Sequence, residues 1–313
     1  MANGALSNKF WQAINITSKD KQHVLKYRTY TIYTAKHAQR FNQQHGPAHC
    51  PLCGAPDSSN HLLLRCNHET PKKMHTNRHH LAVSLCGAEI SKGEMGSSIV
   101  TMDAHNNDKL SNLNIHPPRN ITRTIPDWVF PNQQHSPARH QSRPDGVLIS
   151  SISQGNNFTD PKQIPYRDRD LHLIEFKFCS DTNPHPTLQK ARQQHQSLIS
   201  KLQSRSLRGQ HRNNKVTLHV ILVGVAGTIY NHHTITPLLR LGLSKYAAHK
   251  LATKLHLHAV KSLTHITRTR HALQYNTQFD GAPGGRGNGR DRPGYVRARR
   301  RSGRMADNPP DPH

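Results

Sequence analysis

The spacing of apolar positions changes several times along the chain, and each change predicts an element. Between Ser18 and Ala38, the positions Val24, Tyr27, Thr31, Ala35 and Ala38 recur every three or four residues with Lys and Arg between them. That is the pattern of one face of a basic helix packed on a neighbour. A second, shorter helix is predicted from about Arg78 to Leu85. Residues 90–142 are rich in Asn, Ser, His, Pro and Gly, which predicts a long linker or irregular surface with one apolar island, Ile125 to Phe130. Order returns with strands at Asp145 to Ile149 and Leu171 to Phe178, a helix at Pro186 to Leu202, and the unbroken apolar run Val216 to Val225, which has the form of a buried strand. Strand, strand, helix, strand predicts an α/β core. After Gly227 two short helices are expected, one where Thr236 precedes Pro237 as cap and first-turn proline, the other capped by Ser244.

Composition narrows the choice of partner. The 313 residues hold 43 Lys and Arg against 18 Asp and Glu, a formal net charge of +25, which points to a polyanion. Mean hydropathy is -0.78, and no stretch approaches the roughly 20 apolar residues of a membrane-spanning helix, so no membrane partner is expected. The N-terminus lacks the basic start and apolar run of a secretory signal. Five cysteines with no framework spacing suggest a reducing compartment and metal binding rather than disulfides. The tail from Gly281 carries Arg297, Arg299, Arg300 and Arg301 among glycines and prolines, cannot bury a core, and is expected to be disordered and drawn to nucleic acid. With Arg143, these arginines are the candidate nucleic-acid contacts.

Cys50, Cys53, His61 and Cys66 are spaced C-x2-C-x7-H-x4-C, three thiolates and an imidazole, which is the ligand set of a closed structural Zn²⁺ site. A tight turn through Pro51, Leu52 and Gly54 would aim the first two sulfurs at one ion. His68 is a competing ligand. Four protein ligands leave no open position, so the expected role is a staple that helps position nucleic acid.

Arg143-Pro144-Asp145 opens a strand, and Ile174-Glu175-Phe176-Lys177 lies within the next, giving the form PD…ExK. Residues i and i+2 of a strand share a face, so Glu175 and Lys177 should point together while Ile174 and Phe176 enter the opposite packing layer. Phosphodiester hydrolysis needs hard oxygen ligands for Mg²⁺ or Mn²⁺, which Asp145 and Glu175 would supply with the carbonyl of Phe176. Lys177 would orient or deprotonate the attacking water or stabilise the transition state. A salt-bridged strand pair that merely satisfies its own charges is the plainer alternative. Asp127, in a second Pro-Asp, is a rival carboxylate but reads better as a cap or turn residue. Asp168 and Asp170 read as loop charges. Gln189, Gln193, His195 and Gln196 read as exposed polar positions of the following helix.

The Cys-Pro-Leu-Cys knuckle, the Arg-His-His helix after it, the Arg-Pro-Asp, and the string Ile174 to Pro184 together resemble the C-terminal region of site-specific non-LTR retrotransposons with a restriction-like endonuclease, in the manner of kinetoplastid spliced-leader-associated elements. The resemblance covers roughly residues 45–265. It implies a restriction-endonuclease-like α/β core, a mixed sheet flanked by helices, preceded by a small CCHC zinc knuckle and helical segments. It implies Asp145, Glu175 and Lys177 as the catalytic set, with Mg²⁺ or Mn²⁺ on the two carboxylates and Zn²⁺ on the knuckle. The implied activity is a DNA endonuclease in the nucleus that nicks its target so that the exposed 3′-hydroxyl primes reverse transcription of element RNA. The expected organisation is a basic helical segment (1–45), knuckle and following helix (46–89), linker (90–124), endonuclease domain (125–275) and basic tail (276–313). No Asp-Asp pair occurs in the sequence, so the expectation is an endonuclease end without its polymerase. A non-catalytic zinc-knuckle nucleic-acid-binding protein with a degenerate nuclease fold is the runner-up. A standalone junction or repair nuclease of the same fold is a weaker third.

Overall fold

The computed structural model describes residues 1–41, 48–102, 129, 143–151, 160–203 and 214–280, with Tyr166 and residues 275–280 described by backbone alone. Asp127 and the arginines of the tail lie outside the described residues. The chain builds a four-stranded mixed sheet flanked by helices, in the order β1 (Ile99–Met102), β2 (Gly146–Ser151), β3 (Arg169–Cys179), β4 (Lys215–Gly224). The first three strands are antiparallel neighbours and β3 and β4 are parallel. A parallel pair needs a crossover, and the helix His185–Gln203 provides it.

Alternation along β3 divides its side chains between two layers. Ile174, Phe176 and Phe178 enter the main apolar cluster with helix α4 (Glu69–Ile90) and the long helix Lys245–Asp280. Leu171 and Leu173 face the other way, onto Leu198 and Leu202 of the crossover helix. Leu222 and Cys179 meet Leu188 and Ala191 of the same helix. Both faces of β4 are therefore covered, which is why its sequence reads as a continuous apolar run.

Several elements differ from the sequence expectation. After a four-residue helix α1 (Gly4–Ser7), the basic segment is two helices, α2 (Ser18–Arg28) and α3 (Ala35–Arg40), each with its own N-terminal cap, Thr17 and Thr34. The Thr-Tyr-Thr between them breaks the periodic run, and Tyr30 takes a left-handed φ of 58°. Helix α4 is 22 residues long, well beyond 78–85. The predicted linker contains β1, too short to show a pattern and held by its pairing with β2 across an irregular register. Thr236 is a first helical residue and not a cap: a π-turn, Asn231–Ile235, runs into it, and its hydroxyl bonds the Asn231 carbonyl at 3.0 Å. The final helix is 36 residues long, and Ser244 does cap it, accepting from the Ala247 N–H at 3.2 Å.

The knuckle shares the sheet's core. Leu62 and Leu63 are fully buried in the same cluster as α4, β3 and the long helix. Buried Arg270 of the long helix grips Asp57 with both terminal nitrogens, one bond measuring 2.8 Å. Asp57 also accepts the Ala35 N–H at 2.6 Å, so one carboxylate joins the knuckle, α3 and the last helix.

Candidate functional site

Cys50, Cys53, His61 and Cys66 come together as the sequence predicts, their ligand atoms all within 4.8 Å of one another. The turn works as expected: Gly54 has a φ of 71°, its N–H bonds the Cys50 carbonyl at 2.8 Å, and the Cys50 N–H returns to Ala55 at 2.7 Å. His61 opens a short π-turn, His61–Arg65, and Cys66 leaves it in extended conformation, bringing its sulfur to 3.9 Å from Cys53. His61 Nε2 stands 3.3 Å from the Cys53 sulfur. Burial, together with the neighbouring Cys50 and Cys53 sulfurs, pushes the Cys66 thiol up to about 12. Cys53 is the more exposed of the two, and hydrogen bonds from Ala55 and Asn67 outweigh burial and lower its pKa. Three sulfurs this close cannot all ionise without a compensating cation, and a tetrahedral Zn²⁺ fits this donor set. His68 is not part of the cluster. It caps α4, its Nδ1 accepting the Thr70 N–H at 3.4 Å.

The second site lies where β3 outruns β2. Their antiparallel pairing ends at Gly146 and Ile174, leaving the Phe176 N–H without a strand partner. Asp145, the residue before β2, takes that N–H on Oδ2 at 2.7 Å. Its Oδ1 meets His79 Nε2 of α4 at 2.9 Å. Glu175 and Lys177 share a face of β3 as predicted and form an ion pair through Oε1. The other oxygen, Oε2, receives His195 Nε2 of the crossover helix at 2.9 Å. Glu175 and His195 are almost fully buried, whereas the Lys177 side chain is 32% exposed, so the acids reach solvent by way of Lys177 and the quarter-exposed His79.

Burial alone would raise the Asp145 pKa. His79, Lys177 and the Phe176 N–H more than offset it and hold the carboxyl below its usual range. Burial likewise opposes charge on His79, but the adjoining Asp145 carboxylate carries its pKa above the ordinary imidazole value. Asp145 is thus poised as an anion, and each of the four carboxylate oxygens of Asp145 and Glu175 is engaged by a nitrogen.

His195 corrects the sequence reading. It is buried and bonded to Glu175, not an exposed helix position, while Gln189, Gln193 and Gln196 are exposed. The signal was present: Leu188, Ala191, His195, Leu198 and Leu202 make a stripe at helical spacing, and the histidine falls on it. His79 had no such signal, because only the packing of α4 on the sheet brings it to Asp145. Phe176 contributes its N–H. Asp168 pairs with its neighbour Arg167 and Asp170 accepts from Asn214 at 2.7 Å, both apart from the site. Arg143 is half-buried beside Asp145. Compared with known proteins, the chain matches no family model and no curated protein.

Proposed function

We propose that this chain is a metal-dependent DNA endonuclease of the restriction-like kind, nicking target DNA for retrotransposon integration. The observation that carries the reading is the convergence of Asp145, Glu175 and Lys177 at one strand end, with both acids buried and a single lysine beside them at the solvent boundary. A chain with net charge +25 would bring phosphodiesters there.

Asp145 and Glu175 would hold Mg²⁺ or Mn²⁺ on their unused lone pairs, and such an ion polarises phosphate and lowers the pKa of bound water. Lys177 Nζ, moving off Glu175, supplies positive charge to the developing phosphorane. His195 and the Phe176 N–H keep the two carboxylates in place. His79 holds a proton against Asp145 at the mouth of the site, where a leaving oxygen could accept it.

A second reading, a zinc-knuckle nucleic-acid-binding protein with an inactive nuclease core, has its own support: all four carboxylate oxygens already have nitrogen partners, as in a salt-bridged pair that needs no ion. Incubation with supercoiled plasmid separates the two. The endonuclease reading expects nicking with Mg²⁺ or Mn²⁺, none with EDTA, and losses of at least about 100-fold in Asp145→Ala, Glu175→Ala and Lys177→Ala. Asp127→Ala should retain cleavage. Equal absence of nicking in the wild type and all variants would leave the binding reading, and cleavage that persists in EDTA would exclude the mechanism.

A further inference from the structure

A cavity of about 460 Å³ opens on the side of the molecule formed by the α2–α3 turn, the knuckle and the loop after β3. Its floor is Tyr27, whose hydroxyl bonds Asn60 at 3.0 Å. Lys36 and Arg40 on α3 line one wall, both exposed and with no hydrogen-bond or ion-pair partner among the described residues. Ser59 and Thr182 offer hydroxyls across from them. His37 adds an Nδ1 that is buried and has no hydrogen-bond partner among the described residues.

Charge in the wall is uneven. Arg28 lines the cavity, though its guanidinium is spent on Asn8 and the Ser7 carbonyl at 2.8 Å each. Arg78, within electrostatic reach of Tyr27 and Asp181, does not line the cavity: it is fully buried, lies over the Phe178 ring at 4.3 Å and bonds the Leu63 carbonyl. Against these stands one carboxylate, Asp181, whose oxygens are occupied by the Ala226 and Thr228 N–H groups at 3.0 Å. The cavity wall therefore carries two exposed cations without partners among the described residues, Lys36 and Arg40, against one carboxylate that is already hydrogen-bonded, a surplus that suits an anion.

Aromatic rings continue the same surface. Tyr30 lines the cavity, is 60% exposed, and is the residue held at a φ of 58°. A bulky side chain pays for that conformation in strain, and burial of the ring does not compensate it here. Tyr33, His37 and Phe41 follow at intervals of four, Tyr33 just before α3, His37 within it and Phe41 at its C-cap, with ring centroids 6.1 and 4.7 Å apart and Tyr33 and Phe41 about half exposed. Exposed Tyr30, Tyr33 and Phe41 with the partly buried His37 between the last two, interleaved with Lys36 and Arg40, match the two needs of a nucleic-acid strand whose bases are unstacked: π-faces for bases and charges for phosphates. A duplex could not use the cavity, because its bases are stacked on one another.

We propose that this cavity and the α3 ladder bind a single strand of nucleic acid, with a base on Tyr30, phosphates on Lys36 and Arg40, and further bases along Tyr33, His37 and Phe41. The site would present the nicked strand or the element's RNA next to the knuckle. It rests on the nuclease reading only in the choice of a nucleic acid.

Binding of the full chain to oligo-dT, oligo-rU and a duplex is measured in EDTA, so the outcome does not depend on cleavage. Tyr30→Gly should weaken single-strand binding about tenfold while the thermal midpoint stays level or rises, because glycine relieves the left-handed backbone. Lys36→Gln with Arg40→Gln should lower the slope of log affinity against log salt by about 1.4 for single strands. This pair is exposed, so it carries the test if Tyr30→Gly folds poorly. Preference between oligo-dT and oligo-rU identifies the strand. Single-strand affinity unchanged in both variants, or an equal loss on duplex and single strand, would overturn the proposal. Absence of plasmid nicking with this binding intact would defeat the nuclease reading and leave the strand site standing.

Discussion

Arg270 and Asp57 show how much can hang on one pair. Both side chains are essentially without solvent contact, and their bidentate geometry ties the last helix to the knuckle. The net worth of a buried pair is small, but removing one partner strands the other's charge at a cost of about 3–5 kcal/mol. Arg270→Met should therefore destabilise the protein by about that much in urea unfolding. Adding Asp57→Asn should recover part of the loss, though not all, since the Ala35 N–H also depends on that carboxylate. A double variant worse than Arg270→Met by the full cost of a second independent site would show that the two residues do not act as a pair. The same reasoning applies to Glu175, whose buried charge is tolerable because His195 and Lys177 are both present.

Among the elements, the knuckle is the one whose behaviour the tertiary structure changes most. With a long linker between it and the α/β core, loss of zinc would disorder residues 46–68 alone. In the structure Leu62 and Leu63 lie in the core shared with α4 and the long helix, and Asp57 is clamped by Arg270. Chelation should accordingly lower the thermal midpoint of the whole protein. Hydrogen exchange should quicken around residues 263–270 and in α4 together with the knuckle. The chain as purified should hold one zinc, lost on replacing Cys50 and Cys53 with serine. Deprotection confined to 48–68 would mean that the shared core tolerates an empty knuckle.

Across the whole molecule, buried histidines set the response to acid. Burial lowers His75, His219 and His258 to about 4 each. Their folded values lie below the unfolded value of about 6.5, so the unfolded chain binds more protons between these limits. The resulting stability is complete above about pH 6.5 and is lost as pH falls toward 4. His79 acts in the opposite sense, since its raised pKa stabilises below its unfolded value and that gain fades as pH rises through the folded one. Burial also lowers His61, His172, His233, His256 and His271, so with eight lowered against one raised among the described residues the thermal midpoint should drop between about pH 7.5 and 5. A midpoint higher at the lower pH would contradict this balance. Excess positive charge would also govern the proposed binding: affinity for DNA should fall steeply with salt, and deletion of residues 281–313 should flatten the slope. An unchanged slope would place the main electrostatic contacts elsewhere on the chain.

Covalent order along the chain sufficed for whatever depends on near neighbours. The knuckle ligands were legible because turn and π-turn bring residues a few positions apart to one point. The shared face of Glu175 and Lys177 followed from strand alternation, and the strand, strand, helix, strand order from hydrophobic period. Three features depend on contacts between distant segments, which no local pattern encodes. His79 reaches Asp145 only because α4 lies across the sheet, β1 exists only by pairing with β2, and Asp57 meets Arg270 only because the last helix, expected to be short, runs for 36 residues. His195 is intermediate, placed on a readable stripe but given its partner by the packing of the crossover helix against β3. Sequence determined which candidate ligands and charged residues could be read from local spacing. Tertiary packing decided which of them touch, because a buried ionised group is costly unless hydrogen bonds or a counter-charge meet it, and for Asp145 and Asp57 these come from distant segments.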